Sequence, residues 1–329
     1  MKKTLFTLLS IIVSILIFSC SDDSPSEVEN DNEQIITGDV RLSTQAEVNL
    51  FADTTTGVSI HITGSLHIRG EDITDLAPLS TITTVGDVLS INSNPSLTNL
   101  DGLSNIITVE KYLYITENAT LTNIDGLGGL ISVGYDFTVT GNDSLMSLDG
   151  LSGLTTVGHG LIITSNPALT SLDGLDVLDS VGALVILRNE VLPNLDGLSS
   201  ISTIVSNLNV GYNNALINLN GLSNITSFDG NLGIYNNEVL PNLDGLNNII
   251  SVGNDLNIFD NAALTNLNAL NILNYVGGDL KVENNTILSG FCGLYPLISS
   301  NGLMGNYTVS DNMVNPTQQQ IINDGPCTQ

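Results

Sequence analysis

A motif of about 24 residues recurs in register along most of this chain, and that period limits the possible folds more than any other feature. Leu-Asp-Gly-Leu begins at Leu100, Leu148, Leu172, Leu195 and Leu243, with close variants at Ile124 and Leu219. Its Asp place runs Asp101, Asp125, Asp149, Asp173, Asp196, Asn220, Asp244 and Asn268, in steps of 24 with one of 23 after Asp173. In phase with it, an apolar-x-apolar triplet is followed three residues on by Asn, as in Leu113-Tyr114-Ile115 then Asn118. That series is Asn94, Asn118, Asn142, Asn166, Asn189, Asn213, Asn237, Asn261, Asn285 and Asn312, with Glu71 in the equivalent place of the first repeat.

Each element has a physical reading. The triplet alternates with period 2, which predicts a short strand with one face inward. The Asn can turn its amide inward and bond backbone groups at the bend, making a ladder along a stack. The Gly supplies a positive φ for a tight turn, and the Asp carboxylate can accept turn amides. A unit of this size cannot bury its own apolar face, whereas stacked copies share one core. The expectation is a mainly β chain: a right-handed parallel β-solenoid of about eleven 24-residue repeats, about 50 Å long at the strand spacing, with short capping helices.

Solenoid ends need lids, because an open rung exposes strand edges. Thr44-Gln45-Ala46-Glu47 fits a capping box and predicts a helix over 44–52. Asn315-Pro316-Thr317 predicts a second, running to about Ile322. Cys292 and Cys327 are two of only three cysteines and are read as a disulfide that ties this end down, two free buried thiols being the alternative.

Lys2 and Lys3 precede a 14-residue apolar run, Leu5 to Phe18, too short to span a bilayer as a helix and of the form of a secretory signal. Ile17-Phe18-Ser19-Cys20 resembles a bacterial lipobox, which implies cleavage before Cys20 and lipidation of it. Ser21-Asp22-Asp23-Ser24 then resembles the surface-export signal of lipoproteins in some Gram-negative bacteria. The expected organisation is a signal peptide over 1–19, a lipidated Cys and flexible acidic tether over 20–37, an N-terminal cap over 38–65, the solenoid over 66–290, and a last rung with C-terminal cap over 291–329. The protein would be anchored by lipid to the outer membrane, displayed at the cell surface or held on the periplasmic face.

The Leu-Asp-Gly-Leu turns, the Val-Gly pairs ahead of the strands (Val85-Gly86, Val133-Gly134, Val157-Gly158, Val252-Gly253) and the terminal Asn together resemble receptor L-domain repeats, relatives of leucine-rich repeats, over about residues 38 to 327. Four residues separate Val157 from Leu161, where an ordinary leucine-rich repeat has three. The resemblance implies ligand binding, adhesion or cell-surface recognition, by analogy of fold.

The chain has 34 acidic residues against 7 basic, a net charge of -27, so a phosphate backbone would be repelled and nucleic-acid binding is excluded. It carries no metalloprotease, dithiol, phosphate-loop or nucleophile-elbow motif. His61, His67 and His159 have no metal-ligand spacing and read as surface residues, His159 in a Val-Gly turn. No catalytic residue, metal site or cofactor is expected. The Asp column is read as closing turns, with a calcium row as the alternative. The outward strand positions carry the candidate ligand-binding residues: Ile162, Val185 and Leu187 on adjacent rungs, then Arg188, Tyr212, Tyr235 and Phe259. The column Thr116, Thr140, Thr164 stops at Leu187, too short for an ice-binding face. The expected function is non-enzymatic binding of an extracellular protein or glycan, the alternative a structural envelope spacer without a ligand.

Overall fold

The computed structural model describes residues 33–55 and 57–327; the expected signal segment, Cys20 and most of the acidic tether lie outside the described residues. The chain is a parallel β-solenoid. Twelve strands, from Val40–Leu42 to Tyr307–Ser310, stack in sequence order as one main ladder, each pairing in parallel with the strand about 24 residues on. A narrower ladder starts at Glu33–Ile36. It fuses with the main one at the long strands Thr156–Thr164 and Ser180–Leu187, and returns as a three-stranded sheet at 227–276. The first strand therefore lies inside the stretch expected as tether, and the rungs extend beyond 66–290 at both ends.

The apolar positions build one continuous core. In a single repeat Leu145, Leu148, Leu151, Leu154, Leu161 and Ile163 are all 0% exposed, and the same positions are buried in every neighbour. Each such side chain contributes about 1.5–3 kcal/mol on burial. The Asn of each repeat is also buried, at 0% exposure from Asn94 to Asn285, as a buried amide can be only when bonded. The Asn166 backbone N–H donates to Asn189 Oδ1 (3.2 Å), while Asn166 Nδ2 donates to the Val139 carbonyl (3.0 Å). The pattern runs unbroken from the Gly70 N–H, which donates to Asn94 Oδ1, to Asn312, whose N–H donates to Asn315 Oδ1. The first member is Gly70 and not Glu71: that turn is one residue shorter, because Asn94 Nδ2 reaches Ile68 two places before the glycine.

The Leu-Asp-Gly-Leu corner differs from expectation in two ways. The Asp carboxylates accept no turn amide. The side chain two residues earlier does so, with Asn123 Oδ1 taking the Asp125 N–H (3.2 Å) and Asn194 Oδ1 taking that of Asp196 (3.1 Å). The Asp side chains stay exposed, where water screens the column. Positive φ is needed at Gly102, Gly174 and Gly245, but Gly126, Gly150, Gly197 and Gly221 lie within single turns of 3-10 helix at ordinary φ. What requires glycine there is contact, since a Cβ on Gly126 would stand 1.9 Å from the Leu100 carbonyl oxygen of the preceding rung.

A second ladder of side chains follows the strand starts of the last rungs. Asn207, Asn231, Asp255 and Asp279 each accept, through Oδ1, the backbone N–H of Asn231, Asp255, Asp279 and Asn306 in turn (2.8–3.0 Å). At the other end Asp39 accepts from Ser65 N–H (3.0 Å). The amide of Asn306 lowers the pKa of Asp279, and that of Ser65 lowers the pKa of Asp39. A folded-state pKa below the unfolded one gives stability that is complete above about 3.9 and is lost as pH falls through the lower folded value. Asp279→Asn keeps the acceptor without the proton, so its stability should fall less than that of the unmodified protein between pH 5 and pH 2. Urea midpoints for both across that range test this, and parallel loss would refute it.

Both ends are capped. Helix α1, Gln45–Thr54, has Thr44 as N-cap accepting from Glu47 N–H, but the Glu47 carboxylate reaches back to Ser43 N–H (2.7 Å) and not to Thr44. The helix ends two residues later than expected. At the other end lie a short helix α2, Tyr295–Ser299, which the sequence reading lacked, and α3, Gln318–Asp324, with a full capping box between Thr317 and Gln320. Cys292 and Cys327 are bonded, 35 residues apart. Closing a loop of that length is worth about 3–4 kcal/mol. Reduction should therefore expose the amides of α3 to hydrogen exchange ahead of those in the central rungs, and equal protection before and after reduction would contradict this role.

Candidate functional site

The bend after each main strand decides which side chains leave the sheet. The residue just before the ladder Asn is left-handed in repeat after repeat, including Arg188 (φ 55) and Tyr212 (φ 56). That conformation costs an ordinary residue about 1–2 kcal/mol. Here it turns the following Asn inward, so the residue itself projects outward. Elsewhere the place holds small or polar residues such as Ser93, Ser165 and Asn236, so Arg188 and Tyr212 are the large exceptions.

Four of the seven expected residues, Arg188, Tyr212, Tyr235 and Phe259, form one run of contacts, and Ile162, Val185 and Leu187 lie on the adjacent strands. Ile162 and Val185 are paired across neighbouring strands, half-buried with side chains on the outer face. Leu187 leads into Arg188, whose guanidinium carbon sits 4.8 Å from the centre of the Tyr212 ring, a cation–π contact. Tyr212 meets Tyr235 edge to face at 5.7 Å, and Tyr235 stacks on Phe259 at 4.9 Å with planes 5° apart. Two glycines make room. A Cβ on Gly211 would stand 2.5 Å from the Tyr235 ring, and one on Gly233 would stand 3.0 Å from it. These are the signals the sequence held, glycine at outward strand positions beside a large ring. Burial raises the Tyr235 pKa, and Tyr212 adds to this.

The rings therefore spend much of their faces on each other and offer edges, hydroxyls and one guanidinium to solvent. Two ion pairs, Arg41–Asp39 and Lys111–Asp87, and the contact between His159 and Asp136 form among the described residues, and Arg188 is in none of them. Its cation is thus unneutralised by any carboxylate within contact range.

A second cluster lies on the same face and was missed. Tyr112 stacks with Tyr114 (5.9 Å) and packs on Tyr135 (5.4 Å), which in turn faces His159 at 6.2 Å. His159 is not in a turn. It lies within the strand Thr156–Thr164, and its Nδ1 is 2.6 Å from Asp136 Oδ1. His61 and His67 are half-buried at outward strand positions, and burial lowers the pKa of His67. Among the described residues no three His, Cys, Asp or Glu side chains gather as they would around a metal ion.

The arrangement defines a capped parallel β-solenoid whose middle outward columns, from Ser90 to Asn257 and from Asn92 to Phe259, carry aromatic and polar side chains but no charged ones. No protein-family profile, curated protein or solved structure matches the chain. Among the described residues no helix is long and apolar enough to cross a membrane.

Proposed function

We propose that this protein is a non-enzymatic recognition lipoprotein, held at the outer membrane of a Gram-negative bacterium by lipid on Cys20 and binding a protein or glycan through its strand face. The run Arg188–Tyr212–Tyr235–Phe259 carries this reading. It joins an unpaired cation to three aromatic rings on a rigid sheet, the composition that dominates binding hot spots. The sequence resemblance to receptor L-domains points the same way.

The rival reading, a spacer without a ligand, draws on the ring-to-ring stacking, which would also stiffen a rod. Binding of surface extracts to the immobilised chain distinguishes them. Arg188→Ala and Tyr212→Ala should each weaken capture about tenfold or more while leaving the melting transition in place. Unchanged capture by both variants would remove the proposed surface. Protease digestion on intact cells, beside a Cys20→Ala variant, tests the anchor. The unmodified chain should be cleaved with the membrane intact, and the variant should be released in soluble form.

A further inference from the structure

We propose that the strand face takes a single neutral glycan chain laid obliquely across about seven rungs, with Tyr112, Tyr135 and His159 forming a second contact site for it. This deepens the proposed function and rests on that face being the binding surface.

Register gives the line. Tyr135 stands two residues before the strand Phe137–Thr140, and His159 two residues before Leu161, which pairs with Phe137. Arg188 and Tyr212 follow the last residues of theirs, and Ile162 pairs with Val185 in between. The two aromatic clusters therefore occupy opposite edges of the sheet on successive rungs, joined across its middle by aliphatic side chains. From the rung of Leu113 to that of Leu256 the strip is about 30 Å long at one strand spacing per rung. Within it Tyr135 is 51% exposed and Tyr212 37%, while the rings on the terminal rungs, Tyr112 and Phe259, are half-buried.

Charge and shape give the ligand. The two outward columns of the main strands, from Ser90 to Asn257 and from Asn92 to Phe259, contain no Asp, Glu, Lys or Arg, in a chain with 34 acidic residues. Beside the rings they offer hydroxyls and amides, among them Thr116, Thr140, Thr164 and Asn209. An uncharged polyol can bond these groups while its C–H surface packs on the rings. A protein partner anchors instead by side chains filling pockets. Two surface clefts lie away from these rings, one against Ser59, Thr83 and Ile107 and one beside α3.

The test uses the full folded chain, affinity electrophoresis in gels of neutral polysaccharides (glucans, mannans, xylans) with a polyuronate gel as control, and an oligosaccharide length series. Retention by a neutral polysaccharide and not by the polyuronate is expected. Tyr135→Ala and Tyr212→Ala, both at exposed rings and checked by circular dichroism, should each weaken long-chain binding about tenfold, and the double variant about a hundredfold. Oligomers too short to span both clusters should respond to only one of the two changes. Loss with Tyr212→Ala but none with Tyr135→Ala overturns the two-site glycan and leaves the binding face standing. Retention by the polyuronate, or capture of proteins alone, overturns the neutral glycan. Binding to none of these polysaccharides overturns the glycan and leaves the binding face to the extract-capture test.

Discussion

Replacing Asn189 with Leu should lower the unfolding free energy by about 3–5 kcal/mol. Asn189 Oδ1 accepts from the backbone N–H of Asn166 (3.2 Å) and from Asn166 Nδ2 (3.3 Å), and its own Nδ2 donates to the carbonyls of Ile163 (3.0 Å) and Leu187 (3.2 Å). All of this occurs at 0% exposure, so water cannot replace the lost partners. A buried donor or acceptor stranded in this way costs about 1–3 kcal/mol, and Leu strands at least two. The gain from burying an apolar side chain is smaller, because Leu cannot occupy the flat amide slot without shifting its neighbours. Repeats touch only adjacent repeats, so the damage also weakens coupling between the two halves of the rod. Guanidinium unfolding followed by circular dichroism should show a lower midpoint and a broader, two-step transition. Asn214→Ala, one residue beyond the ladder of the next rung, should move the midpoint little. A loss below about 1 kcal/mol for Asn189→Leu would mean that the ladder is incidental to the stack.

The period, the inward Leu and Ile, and the ladder Asn were legible because the fold uses them identically on successive rungs. What escaped the sequence is what depends on the rung before. The Asp of Leu-Asp-Gly-Leu has the right chemistry to close a turn, but Asn123 or Asn194 is two residues nearer the amide that needs an acceptor. Gly70 replaced Glu71 because a one-residue shortening leaves no mark on the pattern until the backbone is traced. The ladder from Asn207 to Asn306 mixes Asn with Asp and occupies only the last rungs, so no motif announces it. In the candidate site, the outward placement of Ile162, Val185, Leu187, Tyr235 and Phe259 follows from strand alternation alone. Tyr135 and His159 were not, although they lie 24 residues apart, because their column continues as Lys111 on one side and Gly182 on the other. The space for the Tyr235 ring was encoded in Gly211 and Gly233, whose meaning appears only when the ring is placed over them.

Gly126→Ala separates the two explanations for the repeated glycine. Were positive φ the reason, alanine would be accepted here, since Gly126 lies in a 3-10 turn at ordinary φ. Contact predicts the opposite. The new Cβ would stand 1.9 Å from the Leu100 carbonyl oxygen and 2.1 Å from its carbon, and both are backbone atoms that no rotamer can move aside. The same approach recurs at Gly150, Gly197 and Gly221, so opening one corner strains the corners on either side. The cost is bounded by two natural exceptions. Pro78 holds this place in an early rung, and Ala269 holds it near the other end, where it is 2% exposed. A corner can therefore be built around a larger residue when its own rung is shaped for it, which places Gly126→Ala at about 2–3 kcal/mol of destabilisation by overpacking. Gly128 is the internal control. Its nearest neighbour would be the Asp125 oxygen at 3.4 Å and its φ is -59, so Ala there should be neutral or add about 0.4–1 kcal/mol by restricting the unfolded chain. Of two substitutions of one methyl, two residues apart in one turn, only Gly126→Ala should thus lower the unfolding midpoint. Equal tolerance of both would mean that neighbouring rungs stand further apart at this corner than a backbone contact allows, and that the glycine column serves the turn alone.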